Sequence, residues 1–176
     1  MKFKETGLPG AYLVETEPHE DERGYFARVF CSEQFAEQGL ETDYVQNSIS
    51  QNRRRGTLRG LHYQAEPAAE VKLVQCLRGS LFDVIIDLRP RSATYCRWYG
   101  LELSAANKRL LYIPQGFAHG FQTLEDDTLV YYMISQTFAP EYARGVRWDD
   151  PVFGIKWPLA NPIISDKDRR LPDYKR

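Results

Sequence analysis

The chain is poor in sulfur and imidazole, with three cysteines (Cys31, Cys76 and Cys96) and three histidines among 176 residues. The cysteines are far apart, odd in number and without a CxxC spacing, so they offer no disulfide framework and suit a reducing compartment. No stretch of about 18 apolar residues occurs, which leaves no transmembrane helix to expect. The N-terminal MKFKETGLPGAYLVETEP lacks the continuous apolar core of a secretory leader, and a cytoplasmic location is expected. Charge of one sign is also missing. Lys and Arg number 23 against 24 Asp and Glu, and the net charge of -1 argues against a general nucleic-acid or membrane surface. Only a small anion is left for local basic clusters to hold. Repeats, low-complexity tracts and linker-like shifts in composition are absent too, so residues 1–176 are expected to form one domain.

Aromatic residues, in contrast, are plentiful at 13%, 11 of them tyrosine, as in sheet-rich chains. Val71–Leu77 and Leu81–Leu88 are β-branched runs around Arg78-Gly79 and predict a hairpin. Further strand-like runs follow over Cys96–Leu103, Arg109–Ile113, Gly120–Leu124 and Leu129–Ser135, separated by turn residues. Many short strands at such intervals predict an all-β sandwich or barrel. Helix signals are scarce. Ser32–Gly39 opens with a capping residue, carries an acid in its first turn and stops at glycine, which predicts one short helix. The C-terminal region, with Trp148, Trp157 and three prolines nearby, is expected to be irregular and to pack its tryptophans on the barrel.

Two histidines sit where chemistry is plausible. His62 lies in TLRGLHYQ and His119 in PQGFAHGF, a two-motif pattern similar to that of cupin barrels. Metal-binding cupins carry a second histidine two residues after the first, where this chain has Gln64, and two imidazoles fall short of the three protein ligands usual for catalytic zinc or iron. No metal is expected. Taken singly, His62 reads as a buried imidazole satisfied by a carbonyl, Tyr132 as a core tyrosine, and Asp168 as a solvated tail charge. Lys72 is less easily dismissed. It stands within the apolar run Val71–Leu77, where alternation puts Lys72, Val74 and Cys76 on one face and Val71, Leu73, Gln75 and Leu77 on the other. The pattern does not say which face lines a cavity. The run Arg53-Arg54-Arg55 reads as a solvated loop, with a diphosphate contact as the sharper alternative.

Together these residues carry a resemblance. The segments DERGYF, GTLRGLHYQ, KLVQCLRGSLFDVIIDLR, LELSAANKRLLYIPQGFAHGF, ARGVRWDDPVFGIKWP and ISDKD occur in the order found in dTDP-4-dehydrorhamnose 3,5-epimerases. The resemblance covers about Gly24 to Asp168. It implies a cupin-type double-stranded β-helix, or jelly-roll barrel, with a few short helices. It also implies a cofactor-independent isomerase acting on a nucleotide-diphosphate-linked 4-keto-6-deoxyhexose. Carried over residue by residue, His62 is the base paired with Asp168, Tyr132 the acid, and Lys72 the cation near the C4 carbonyl. His119 lies near the sugar, while Arg23, Arg59 and Lys167 hold the diphosphate. Phe26, Gln46 and Asn47 match further substrate positions, the last two to within one residue. The family implies a homodimer in which N-terminal residues reach the partner's site. Arg28 and Ala143 stand where the family commonly has Glu, and Met133 where it often has Lys, which leaves the base open among thymidine, cytidine and guanosine. A non-catalytic sugar-nucleotide binder and a metal-dependent cupin oxygenase or isomerase are the competing readings.

Overall fold

The computed structural model describes residues 1–175. Its strands are β1 (Lys2–Glu5), β2 (Tyr12–Glu15), β3 (His19–Asp21), β4 (Gly24–Phe26), β5 (Gln46–Asn52), β6 (Thr57–Gln64) and β7 (Lys72–Arg78). They continue with β8 (Ser80–Asp87), β9 (Trp98–Ser104), β10 (Arg109–Ile113), β11 (Phe117–Thr123), β12 (Thr128–Ile134), β13 (Ala143–Gly145) and β14 (Ile163–Ile164). Two α-helices, α1 (Ser32–Glu37) and α2 (Asp166–Arg169), and a 3-10 turn at Pro140–Tyr142 complete the described residues. The first sheet has the order β1-β2-β10-β7-β12-β5, and the second runs β13-β6-β11-β8-β9 with β14 parallel to β6. These sheets form the expected cupin-type jelly roll.

Alternation decides what lies between the sheets. Val74 and Cys76 from β7, Leu111 and Ile113 from β10 and Val130 from β12 meet Leu81 and Ile85 from β8, Phe117 and Phe121 from β11 and Leu103 from β9. All ten are buried. Burying a side chain of this size contributes roughly 1.5–3 kcal/mol, so this layer dominates cohesion between the sheets. The face of β7 that carries Lys72, Val74 and Cys76 is therefore the barrel interior. Its other face, with Leu73, packs under α1 through Phe35 and Tyr112. The outer face of the second sheet is covered by the C-terminal segment, where Val146, Phe153, Trp157 and Tyr174 pack around Leu61, Val84 and Ile86.

The structure corrects two local expectations. β7 and β8 are consecutive but do not pair: β7 bonds to β10 and β12, while β8 bonds to β11 and β9 in the other sheet. Both strands carry apolar side chains that belong in the same intersheet core, which is achieved only if one strand comes from each sheet. Gly79, at φ 75°, makes the corner instead of a hairpin turn. In α1 the N-cap is Cys31, with no side-chain cap, and Ser32 is the first helical residue.

Candidate active site

His62 and Asp168 lie 106 residues apart and are joined by local chain geometry. His62 is on β6, whose alternation turns its ring into the barrel mouth. Asp168 rides on α2, a single turn capped by Ser165, whose hydroxyl accepts from the Asp168 N–H at 3.1 Å. Parallel pairing of Ile163–Ile164 with Thr57–Leu58 lays this segment along β6. Asp168 Oδ1 is then 2.7 Å from His62 Nε2, and Oδ2 accepts from the Gly60 N–H at 3.4 Å. The carboxylate is 7% exposed and the imidazole 44%, so the pair is anchored inside and open outward. Burial acts to raise the Asp168 carboxyl, but the His62 hydrogen bond and charge, with the Gly60 and Ser165 contacts, hold it below its ordinary value. It is therefore ionised. A carboxylate on Nε2 fixes the proton there and leaves Nδ1 as the basic nitrogen.

Tyr132 comes from the opposite sheet, on β12, and Lys72 from β7 beside it. Burial first, and then the Asp83 carboxylate, push the Tyr132 phenol up against a weaker opposing pull from Arg59, so it is held in its protonated form. His119, on β11 directly across from His62, stands edge-on to the Tyr132 ring at 6.1 Å. Its Nε2 is 2.6 Å from Asp83 Oδ1, both side chains being buried, and Asp83 Oδ2 has no partner among the described residues. Arg59 donates from Nε to Asn52 Oδ1 at 2.8 Å. Glycine permits this crowding. A Cβ on Gly60 would lie 2.6 Å from Gly120 Cα, and one on Gly120 would lie 2.6 Å from the Arg59 carbonyl oxygen, so β6 and β11 touch backbone to backbone beside the two histidines.

His62, Tyr132, Asp168, Lys72, Arg59 and His119 line one cavity of about 580 Å³. A second cavity of about 300 Å³ adjoins it, sharing His62, Lys72 and Ile134, and takes in Gln46, Lys167 and Ala143. Gln46 also accepts from the Phe138 N–H at 2.8 Å. Asn47 lines neither cavity. On β5 it shares a face with Ile49, whereas Ser48 and Ser50 turn inward to the first cavity. Arg23 and Phe26 are not brought here within one protomer: they belong to the β3–β4 hairpin, where Arg23 pairs with Asp21 and Phe26 is exposed. Sequence reading passed over Ser48, Ser50, Glu70 and Asp83. Only Asp83 carried a signal, as a charged residue inside the apolar run Leu81–Ile86.

The model of the family described as dTDP-4-dehydrorhamnose 3,5-epimerase matches residues 5–176. The chain belongs to the dTDP-4-dehydrorhamnose 3,5-epimerase family. It is 48% identical over 172 residues to the dTDP-4-dehydrorhamnose 3,5-epimerase of Methanothermobacter thermautotrophicus, covering 96% of this chain and 92% of that one. Among solved structures it is similar to dTDP-4-dehydrorhamnose 3,5-epimerase from Bacillus anthracis with TDP and PPi bound, at 41% identity and a TM-score of 0.96, covering 98% and 99% of the two chains. It is also similar to NovW, a 4-keto-6-deoxy sugar epimerase from the novobiocin biosynthetic gene cluster of Streptomyces spheroides. That likeness has 33% identity and a TM-score of 0.95, covering 98% and 87%. As a member of this epimerase family the chain is an isomerase, a 3,5-epimerase of dTDP-4-keto-6-deoxy sugars.

Proposed function

We propose that the chain inverts C3 and C5 of its dTDP-linked 4-keto-6-deoxyhexose by proton removal at His62 and proton return from Tyr132. A ketone at C4 acidifies both neighbouring carbons, because the electron pair left by deprotonation delocalises onto O4 as an enolate. His62, held by ionised Asp168, takes the proton at Nδ1, and the carboxylate stabilises the imidazolium that forms. Such general-base help amounts to roughly 10²–10⁴-fold. Lys72 meets the charge developing on O4, where a comparable donor contributes about 10²–10³-fold. Inversion requires the proton to return on the other face of the ring, and before the second centre reacts the imidazolium gives its proton to solvent and the Tyr132 phenolate takes one from solvent, which restores both groups. The observation that carries the reading is that base and acid come from opposite sheets of one barrel and line one cavity.

Arg59 and Lys167 hold the diphosphate, with Gln46 beside the second cavity and His119 against the sugar. Asn47, facing outward on β5, lines neither cavity of its own protomer and contacts substrate only from the side of the partner. The active unit is a homodimer, in which Arg23 and Phe26 of the exposed hairpin complete the partner's site. The whole chain works as one domain in the cytoplasm, where its cysteines, free in this structure, stay reduced. The test is turnover of a dTDP-4-keto-6-deoxyhexose in deuterium oxide followed by NMR. Deuterium is expected at both C3 and C5 of the product, and a substrate that keeps both protons refutes the reading. Light scattering is expected to return twice the 20.4 kDa chain mass, and a monomeric mass refutes the dimer.

A further inference from the structure

Glu70 is a mostly buried acid for which the mechanism above has no task. It precedes Lys72, the first residue of β7, by two residues, and both side chains line the second cavity. The residue between them is pinned: the Val71 N–H donates to Ser135 Oγ at 2.8 Å, and the Ser135 N–H donates to the Val71 carbonyl at 3.0 Å. Glu70 Oε1 is 2.7 Å from Lys72 Nζ, with the side chains 11% and 12% exposed. No other carboxylate lines the second cavity among the described residues, whereas Arg144 and Lys167 do.

Two effects oppose each other at this pair. A carboxylate near O4 works against the enolate charge, which by itself makes Glu70 a liability. An ammonium on a four-carbon stem, however, is a mobile point charge, and Lys72 borders both cavities. Without a fixed partner it would swing to the diphosphate, the strongest anion present, and add binding shared by ground and transition states, which does not raise kcat. Glu70 occupies one of the three ammonium donors and leaves two for the ketone oxygen. Burial favours the second effect, since a buried ammonium needs a partner before substrate arrives.

We propose that Glu70 is a positioning residue for Lys72, holding its ammonium at the wall between the cavities so that it serves O4 rather than the diphosphate. This rests on the reading of Lys72 as the group that meets the enolate. The experiment compares Glu70→Gln and Glu70→Asp in the native and Lys72→Met backgrounds, measuring kcat and KM for deuterium wash-in into a dTDP-4-keto-6-deoxyhexose. Circular dichroism and dTDP binding establish folding of each protein. Glu70→Gln is expected to lower kcat about 10-fold without raising KM, Glu70→Asp to fall between, and neither to slow the Lys72→Met protein further, because groups acting as one unit are non-additive. Should Glu70→Gln misfold, Glu70→Asp alone decides by the same criterion. An equal loss in both backgrounds, unchanged turnover or faster turnover overturns the proposal. A Lys72→Met protein that exchanges at the native rate overturns instead the reading of Lys72, and the proposal with it.

Discussion

Replacing Asp168 by Asn removes the charge that faces the His62 imidazolium while keeping the side chain's size. The charge centres of a pair with this 2.7 Å contact lie about 4 Å apart, and at an effective dielectric of 20 that interaction is about 4 kcal/mol. His62 is 44% exposed, so water screens part of it, and about 2–3 kcal/mol is the proportionate figure. At 1.36 kcal/mol per decade this corresponds to roughly a 10²-fold loss in kcat. The amide adds a second penalty: with its oxygen kept toward Nε2, its NH₂ faces the Gly60 N–H, and when flipped it donates to Nε2 and reverses the tautomer. The donor-to-donor contact disfavours the first arrangement, and the second puts the proton on Nδ1, where it cannot act as base. The assay is deuterium wash-in at C3 and C5 with KM measured alongside. Loss in kcat with KM nearly unchanged is expected, whereas turnover within threefold of native refutes the assignment of His62 and Asp168 as one unit. The depressed Asp168 carboxyl also fixes the sign with pH: its contribution to stability is complete above the unfolded-state value and lost as pH falls through the lower folded-state value.

Tyr132→Phe is expected to keep proton removal at His62 while slowing inversion by about 10²–10⁴-fold; NMR that finds deuterium entering as fast as configuration changes would count against it. Gly120→Ala places a methyl 2.6 Å from the Arg59 carbonyl oxygen, and a destabilisation of at least about 2 kcal/mol in urea melts is expected, with an unshifted midpoint as the contrary result. Asp87 is buried, and although burial alone would raise its carboxyl, hydrogen bonds from Arg89, Ser92 and Thr94 draw it down from 3.8 to about 2. It contributes about 2 kcal/mol above pH 4, lost as pH falls toward 2, and Asp87→Asn is expected to flatten that part of the native stability curve; a curve unchanged in that window refutes the linkage.

Much of the barrel was legible because β-branched runs announce buried strands, and β10 was read with the bounds it has. β5 was not, because Gln46–Asn52 is polar at every position but Ile49, and that one apolar side chain is exposed, so the stretch carries no periodic contrast. The pairing of β7 and β8 was misread because a glycine between two apolar runs looks the same whether the chain turns back within a sheet or crosses to the facing one. Only the shared intersheet core of Val74, Cys76, Leu81 and Ile85 distinguishes them. At the site, the roles of Lys72 and Asp168 came from resemblance, since neither strand alternation nor a charged tail says what a side chain will meet. Asp83 escaped notice because its partner His119, 36 residues away, is set by tertiary approach, and Glu70 because it precedes β7, where no periodic pattern marks the direction of a side chain.

The most direct test is a crystal structure with a dTDP-linked 6-deoxyhexose that lacks the C4 ketone and cannot react. The hexose is expected between the His62 and Tyr132 side chains, with its C4 substituent toward Lys72 Nζ and the diphosphate toward Arg59 and Lys167. A hexose bound outside that cavity, or with both groups on the same side of its ring, would contradict the two-face mechanism.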